Sequence, residues 1–256
     1  SVAGDEHADA EDLLHVVEQD PTLVIRILRN VNSSSRGLRQ EVADLRMAIA
    51  LLGFQEVRNL ALTVYVARLA DSEENYGAFS RSGLWRHLVS VGEIARVVSR
   101  VCNRAEPEEA YLAGLLHDSG AILIDHYMNA DWRRVLDLVN EGAPLAEAER
   151  HVLTFLQSEL SAYVAQQSRL PERVCSAIAY HSCPERYRDL DRELLNVLCL
   201  ANYLAEARGL SALGVQTAFA PSNDVYRGLG LRDEQLADLL KELEVAFAVA
   251  ESLAGI

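Results

Sequence analysis

A chain of 256 residues, half of them hydrophobic and 24% charged, can bury a sizeable core and has the composition of a globular protein. Its net charge of -14 opposes sequence-independent binding to a phosphate backbone, and no apolar run approaches the roughly 20 residues that span a bilayer. The opening Ser1–His7 has no basic stretch followed by an apolar one and does not read as a signal peptide.

Helical periodicity dominates the chain, and few stretches alternate like a half-buried strand. Asp20-Pro21 reads as an N-cap with proline at the first helical position, opening a helix through Leu23, Ile27, Leu28 and Val31. The run from Asn32 to Gly37 stops it with residues that hydrogen-bond their own backbone, plus a glycine. Ala48, Ile49, Leu51 and Leu52 lie on a second helix, which Gly53 ends. A third is predicted from Gln55 to Leu69, with Val57, Leu60, Ala61, Val64 and Leu69 facing inward. Arg26, Arg29, Arg36, Arg39, Arg46, Arg58 and Arg68 outnumber the acids of this region. Such a run reads first as a solvated face, with a surface for an acidic partner or nucleotide as the alternative.

The polar stretch Asp71–Gly77 reads as a connection and a subdomain boundary. Helices are predicted over Leu84–Cys102, from Glu106-Pro107 into Leu115-Leu116, and over Trp132–Val139, Pro144–Gln166, Pro171–Tyr180 and Glu193–Glu206. Ala218–Gly230, with Pro221, Asn223, Gly228 and Gly230, reads as a loop. From Asp233 on, Leu236, Leu239, Leu240, Leu243, Phe247 and Ala250 keep the spacing of an amphipathic helix, which can cover the core or pair with a second copy in a homodimer. The cysteines Cys102, Cys175, Cys183 and Cys199 form no C-x-x-C pair and read as buried free thiols of a cytoplasmic protein.

No dinucleotide-binding glycine motif, phosphate loop, nucleophile elbow or H-E-x-x-H occurs. The informative stretch is Gly114-Leu115-Leu116-His117-Asp118-Ser119-Gly120. A histidine beside an aspartate, at the end of an apolar helix and before a glycine, can present imidazole and carboxylate to one cavity, where both suit a divalent metal. Taken alone, such a histidine is more often a hydrogen-bonded structural residue. His7, His15, His126 and His151 read as surface residues, and Trp85 and Trp132 as packing residues.

From about Asp9 to Ala207 the chain resembles the HD superfamily and, more closely, its HDOD branch. The resemblance is carried in order by Asp20-Pro21-Thr22-Leu23 with Ile27–Ser33, Ala48–Phe54, Val57–Leu62, Leu84-Trp85-Arg86-His87, Ala113–Gly120, Leu170-Pro171 and Ala177–His181. It implies an all-α, multi-helix HD-like bundle forming one domain over 1–256. An N-terminal helical subdomain would cover 1–70, an HD-like core 83–208, and a C-terminal loop and amphipathic helix 209–256.

In catalytic HD phosphohydrolases the resemblance implies a metal held by a histidine, the His-Asp pair and a distant aspartate. His87 matches the first and His117-Asp118 the pair, whereas Asn202 stands at the distant position. Two further histidines of two-metal relatives fall at Gln157 and, beside His181, at Ser182. A neutral amide in place of a carboxylate weakens the hold on a hard cation. The expectation is therefore no cofactor, weak or absent metal binding, and no hydrolysis. His87, His117, Asp118 and His181 would remain as a buried hydrogen-bonded cluster or, alternatively, a residual ligand site.

The functional expectation is a non-enzymatic bacterial signalling domain, the output module of a response regulator or similar protein, acting through protein partners. The start at Ser1 is expected to reflect an excised effector with a receiver or sensor domain upstream. The rivals are a metal-dependent phosphohydrolase of a nucleotide or cyclic dinucleotide, and a nucleic-acid-binding regulator using the N-terminal arginines, which the overall acidity disfavours.

Overall fold

The computed structural model describes residues 45–70, 75–189, 191–215, 217, 218 and 220–254, together with Val17, Val24, Ile25, Ile27, Leu28, Asn32 and Val42. The expected helix boundary at Asp20-Pro21, the stop at 33–37, His7, His15, Arg26, Arg29, Arg36 and Arg39 lie outside the described residues. Val24, Ile25, Ile27 and Leu28 are helical, as the spacing implied, with Ile27 fully buried.

α1 runs over Leu45–Leu52 and α2 over Phe54–Ala70. Gly53 separates them at φ 87, a backbone angle that glycine adopts without strain. A two-residue hairpin, β1 Asn75–Tyr76 against β2 Phe79–Ser80, leads into the long helix α3, Arg81–Cys102. Ser80 caps α3 by accepting from the Gly83 N–H, and Asn103 ends it in the left-handed region at φ 52. α4 is Pro107–Leu116, where the Glu106 carboxylate accepts from the N–H groups of Glu108 and Glu109. α5 Ser119–Tyr127, α6 Asn129–Asn140, α7 Leu145–Val152, α8 Gln157–Gln167 and α9 Glu172–Tyr180 follow. After a short 3-10 turn at Pro184–Arg186 come α10 Glu193–Ala207, α11 Asn223–Leu229 and α12 Asp233–Ala254. The described residues are all-α apart from that hairpin, as the periodicity implied.

α3 is the axis of the molecule. It packs against α4, α10 and α12, and buried residues run around nearly its whole circumference. Its first half joins a core with Ile27, Val57, Tyr111, Trp132 and Leu253, and its second half joins another with Val174, Ile178, Leu198 and Leu243. Residues of the N-terminal helices, the middle of the chain and the last helix therefore share apolar interior. Among the described residues, no helix is long and apolar enough to cross a membrane.

Four local expectations need correction. The helix foreseen over Pro144–Gln166 is two helices, because Thr154 turns into the left-handed region at φ 69 and the Leu156 N–H is taken by the Glu159 carboxylate. The loop foreseen over Ala218–Gly230 contains α11. Gly228, read as a loop glycine, is instead needed for contact, since a Cβ there would lie 2.4 Å from Asn196 Nδ2. Leu69, Leu236 and Leu240 are exposed rather than inward, while Ala246 and Leu253 join the buried face of α12. Finally, all four cysteines are free, but Cys102 is buried while Cys175, Cys183 and Cys199 are half-buried.

Candidate functional site

Backbone proximity builds the site. Gly114 on α4 crosses α3 at Gly92 so closely that a Cβ at 114 would meet the Gly92 Cα at 2.6 Å. This crossing brings His117, at the end of α4, against His87 on α3. A second close approach follows at once. A Cβ on Gly120 would lie 2.3 Å from the Gln157 carbonyl, and the Gly120 N–H donates to Ser161 Oγ at 2.8 Å, seating α5 on α8. Between these two glycine contacts sits Asp118.

Each imidazole is oriented by a backbone carbonyl. His87 Nδ1 lies 2.8 Å from Leu210 O, His117 Nδ1 2.7 Å from Gly114 O, and His181 Nδ1 2.8 Å from Ile178 O. A carbonyl only accepts, so each Nδ1 carries a proton and each Nε2 is left to face the cluster. There, His117 Nε2 lies 3.3 Å and His87 Nε2 3.7 Å from Asp118 Oδ2, while His181 Nε2 lies 3.3 Å from Oδ1. His87 Nε2 and His117 Nε2 are 3.1 Å apart. Two lone pairs at that distance repel, so one proton or one cation must lie between them.

Electrostatics place a proton. Burial, reinforced by the neighbouring His117, lowers the His87 pKa to about 4. Burial also disfavours charge on His117, but the Asp118 carboxylate and the Gly114 carbonyl outweigh it and raise that pKa. Asp118 is buried too, yet His117 and His181 hold its carboxyl well below the ordinary range. A charged His117 donating toward neutral His87, with anionic Asp118 alongside, pairs the two facing Nε2 atoms and leaves Asp118 Oδ1 turned to the cavity without a hydrogen-bond donor. The buried cluster of His87, His117, Asp118 and His181 expected from the sequence is present.

The donors of His87, His117 and Asp118 lie within 4.8 Å of one another, so they also fit a single divalent ion. A second ion finds a poorer set. Gln157, Ser182 and Asn202 line the same cavity as Asp118 and His181, and the first and last offer amide oxygens where the resemblance implies histidine and aspartate. The structure thus brings the three altered positions together with the intact ones.

That cavity has a volume of about 950 Å³. His87 and His117 do not line it and are 0% exposed, so Asp118 and His181 form its inner wall. Among the described residues, five buried polar atoms on the wall have no hydrogen-bond partner: Asp118 Oδ1, Glu149 Oε1, Gln157 Oε1, Ser158 Oγ and Asn202 Oδ1. Glu149 is 2% exposed, and burial together with the nearby Asp118 charge pushes its pKa up to about 8. Nothing in the sequence marks Glu149 or Ser158, because a glutamate amid Ala146–Arg150 has the pattern of a solvated helix face.

Sequence reasoning also missed a buried polar network that ties α2 to α3 and α4. Arg96 bonds both Glu93, at 2.8 Å, and Glu108, and stacks on the Tyr111 ring at 4.0 Å. Asn59 donates to Glu108 at 2.9 Å, and Thr63 shares a 2.6 Å bond with the Tyr111 hydroxyl. The three-residue spacing of Glu93 and Arg96 was its only trace in the sequence. Elsewhere the expectations hold: Trp85 and Trp132 are core residues, with Phe79 edge-on to Trp132, and His126 and His151 are exposed.

Comparison with known proteins agrees with this frame. The HDOD domain model matches residues 1–184. An uncharacterised protein of Treponema pallidum is 26% identical over a 189-residue alignment that covers 70% of this chain and 35% of that protein's length. An HDOD domain protein of unknown function from Geobacter sulfurreducens superposes with a TM-score of 0.78 at 23% identity, covering 98% of this chain and 90% of the other. A candidate signal transduction protein from Marinobacter aquaeolei gives 0.74 at 25% identity over 99% of this chain and 56% of its own. A candidate phosphohydrolase from Shewanella amazonensis gives 0.69 at 21% identity, over 99% and 86%. With a His-Asp cluster at the hinge of two helices, a helical frame shared with these structures, and a family model matching most of its length, the chain belongs to the HDOD domain family.

Proposed function

We propose that this chain is a non-enzymatic signal-transduction domain whose helices respond to an input at the former catalytic cavity and pass the change to a protein partner. The observation that carries the reading is the enclosure of His87 and His117, which do not line the cavity. Catalysis by an HD site needs an ion that holds both its ligands and a substrate-facing water. Here His87 and His117 are wholly buried behind Asp118, and Gln157, Ser182 and Asn202 stand on the wall where further ligands are needed. One carboxylate would leave a dication undercompensated in a buried place.

A single ion held by His87, His117 and Asp118 would supply Lewis-acid polarisation of a bound oxygen. This chain's own residues do something else well: they fix the α3–α4 crossing through carbonyl-anchored imidazoles. The same crossing carries the Arg96 network to α2, so a shift at Asp118 has a packed route to the N-terminal helices. The partner would be an upstream receiver or sensor domain or another signalling protein, in the cytoplasm, where free thiols persist. A phosphohydrolase acting on a nucleotide or cyclic dinucleotide is the second reading, favoured by the convergence of three donors on one point.

Limited proteolysis and hydrogen exchange of the full-length gene product, with the input domain on and off, test the proposal. Protection that changes along α2 and the α3–α4 crossing supports it, and identical protection in both states rejects it.

A further inference from the structure

We infer that the cavity beside Asp118 is a receptor site for a small organic cation of the polyamine or guanidino class, held through its nitrogen donors. The inference rests on the regulatory reading, because a cation bound here is an input and not a substrate.

The wall has a one-sided hydrogen-bond inventory. Asp118 Oδ1, Gln157 Oε1 and Asn202 Oδ1 are acceptors, while the Ser158 hydroxyl and the protonated Glu149 carboxyl can either accept or donate. They come from four places in the fold: the α4–α5 junction, α7, α8 and α10. Glu149, Gln157 and Ser158 are 2%, 4% and 1% exposed, so these are built-in positions and not surface groups. Buried oxygens without partners are costly, and native proteins keep them where a ligand or water completes them. The ligand that completes this set must bring several N–H groups pointing in different directions.

Charge and shape narrow the class further. Five carboxyl-bearing residues line the cavity against two arginines. Arg192 donates two of its N–H groups to the carbonyls of Tyr187 and Pro184, at 2.8 and 2.6 Å, and Arg188 is an exposed side chain. A phosphate or carboxylate placed against Asp118 would set acceptor against acceptor. A volume of about 950 Å³ is far beyond a bare ion and within the range of small-molecule sites. Leu145, Pro221 and Val225 give the same cavity apolar wall on which methylenes can lie.

Calorimetric titration of the intact chain with spermidine and with agmatine, in EDTA, tests this, with AMP and inorganic phosphate as anionic comparators. The expected result is one cation per chain, while AMP and phosphate fail to bind. Gln157→Leu and Asn202→Leu, each checked for native circular dichroism, should weaken binding about tenfold or more by removing an acceptor. Asn202→Asp adds charge among the same oxygens and should tighten it, which keeps the test informative where a leucine variant does not fold. Absence of binding by both cations, binding indifferent to these three substitutions, or tighter binding of AMP through the same residues would overturn the inference. EDTA keeps these readouts separate from the regulatory reading, which metal-dependent hydrolysis or unchanged hydrogen-exchange protection would contradict.

Discussion

At Asp118 one carboxylate answers to three imidazoles, and the consequences are measurable residue by residue. Removing it leaves a charged His117 buried without its counter-charge. Asp118→Ala should therefore cost about 3–5 kcal/mol in urea unfolding at pH 7. The folded pKa of Asp118 is depressed, so its contribution is complete above the ordinary carboxylate value of about 4 and is lost as pH falls through the folded value. Glu149 acts in the opposite sense. Its pKa rises to about 8 on folding, so the folded state holds a proton that the unfolded chain releases near 4.5. Stability is then lost as pH rises between these values, by up to about 1.4 kcal/mol per unit, and Glu149→Gln should flatten that slope in unfolding curves taken from pH 5 to 8. The His-Asp pair and its altered companions were legible in the sequence because their spacing follows a family pattern. Glu149 was not, because burial of a single acid depends on which helix is laid over it.

Elements were legible wherever a long apolar-rich stretch without breakers carried them, as in α3, α4 and α10. They failed where a tertiary contact overrode a local signal. Thr154 splits a periodic stretch, and Gly228, a turn signal in the sequence, sits in α11 where its missing side chain leaves room for Asn196. The same reasoning gives a prediction for the α3–α4 crossing. Gly114→Ala puts a methyl 2.6 Å from the Gly92 backbone, which cannot yield as a side chain can. A loss of about 3 kcal/mol is expected in chemical denaturation, with altered His117 and His87 imidazole resonances. Arg96→Met should cost about 3–5 kcal/mol, because Glu93 and Glu108 lose the guanidinium that compensates them in the interior.

Across the whole molecule, α3 links everything that bears on function. Its N-terminal half shares a core with α2, its middle holds His87 and Gly92, and its far half packs with α10 and α12. An all-α frame of this kind was foreseeable from periodicity, and the family from ordered motifs. The enclosure of His87 and His117 behind Asp118 was not, since it depends on the Leu210 segment closing over α3. That enclosure is the basis for reading the chain as a signalling domain. The most direct test is a hydrolysis assay of the purified protein, supplied in turn with manganese, iron(II) and zinc, against nucleotides, cyclic dinucleotides and a generic phosphodiester. The account predicts no turnover above that of the His117→Ala variant with any metal. Metal-dependent turnover that disappears in His117→Ala would contradict it.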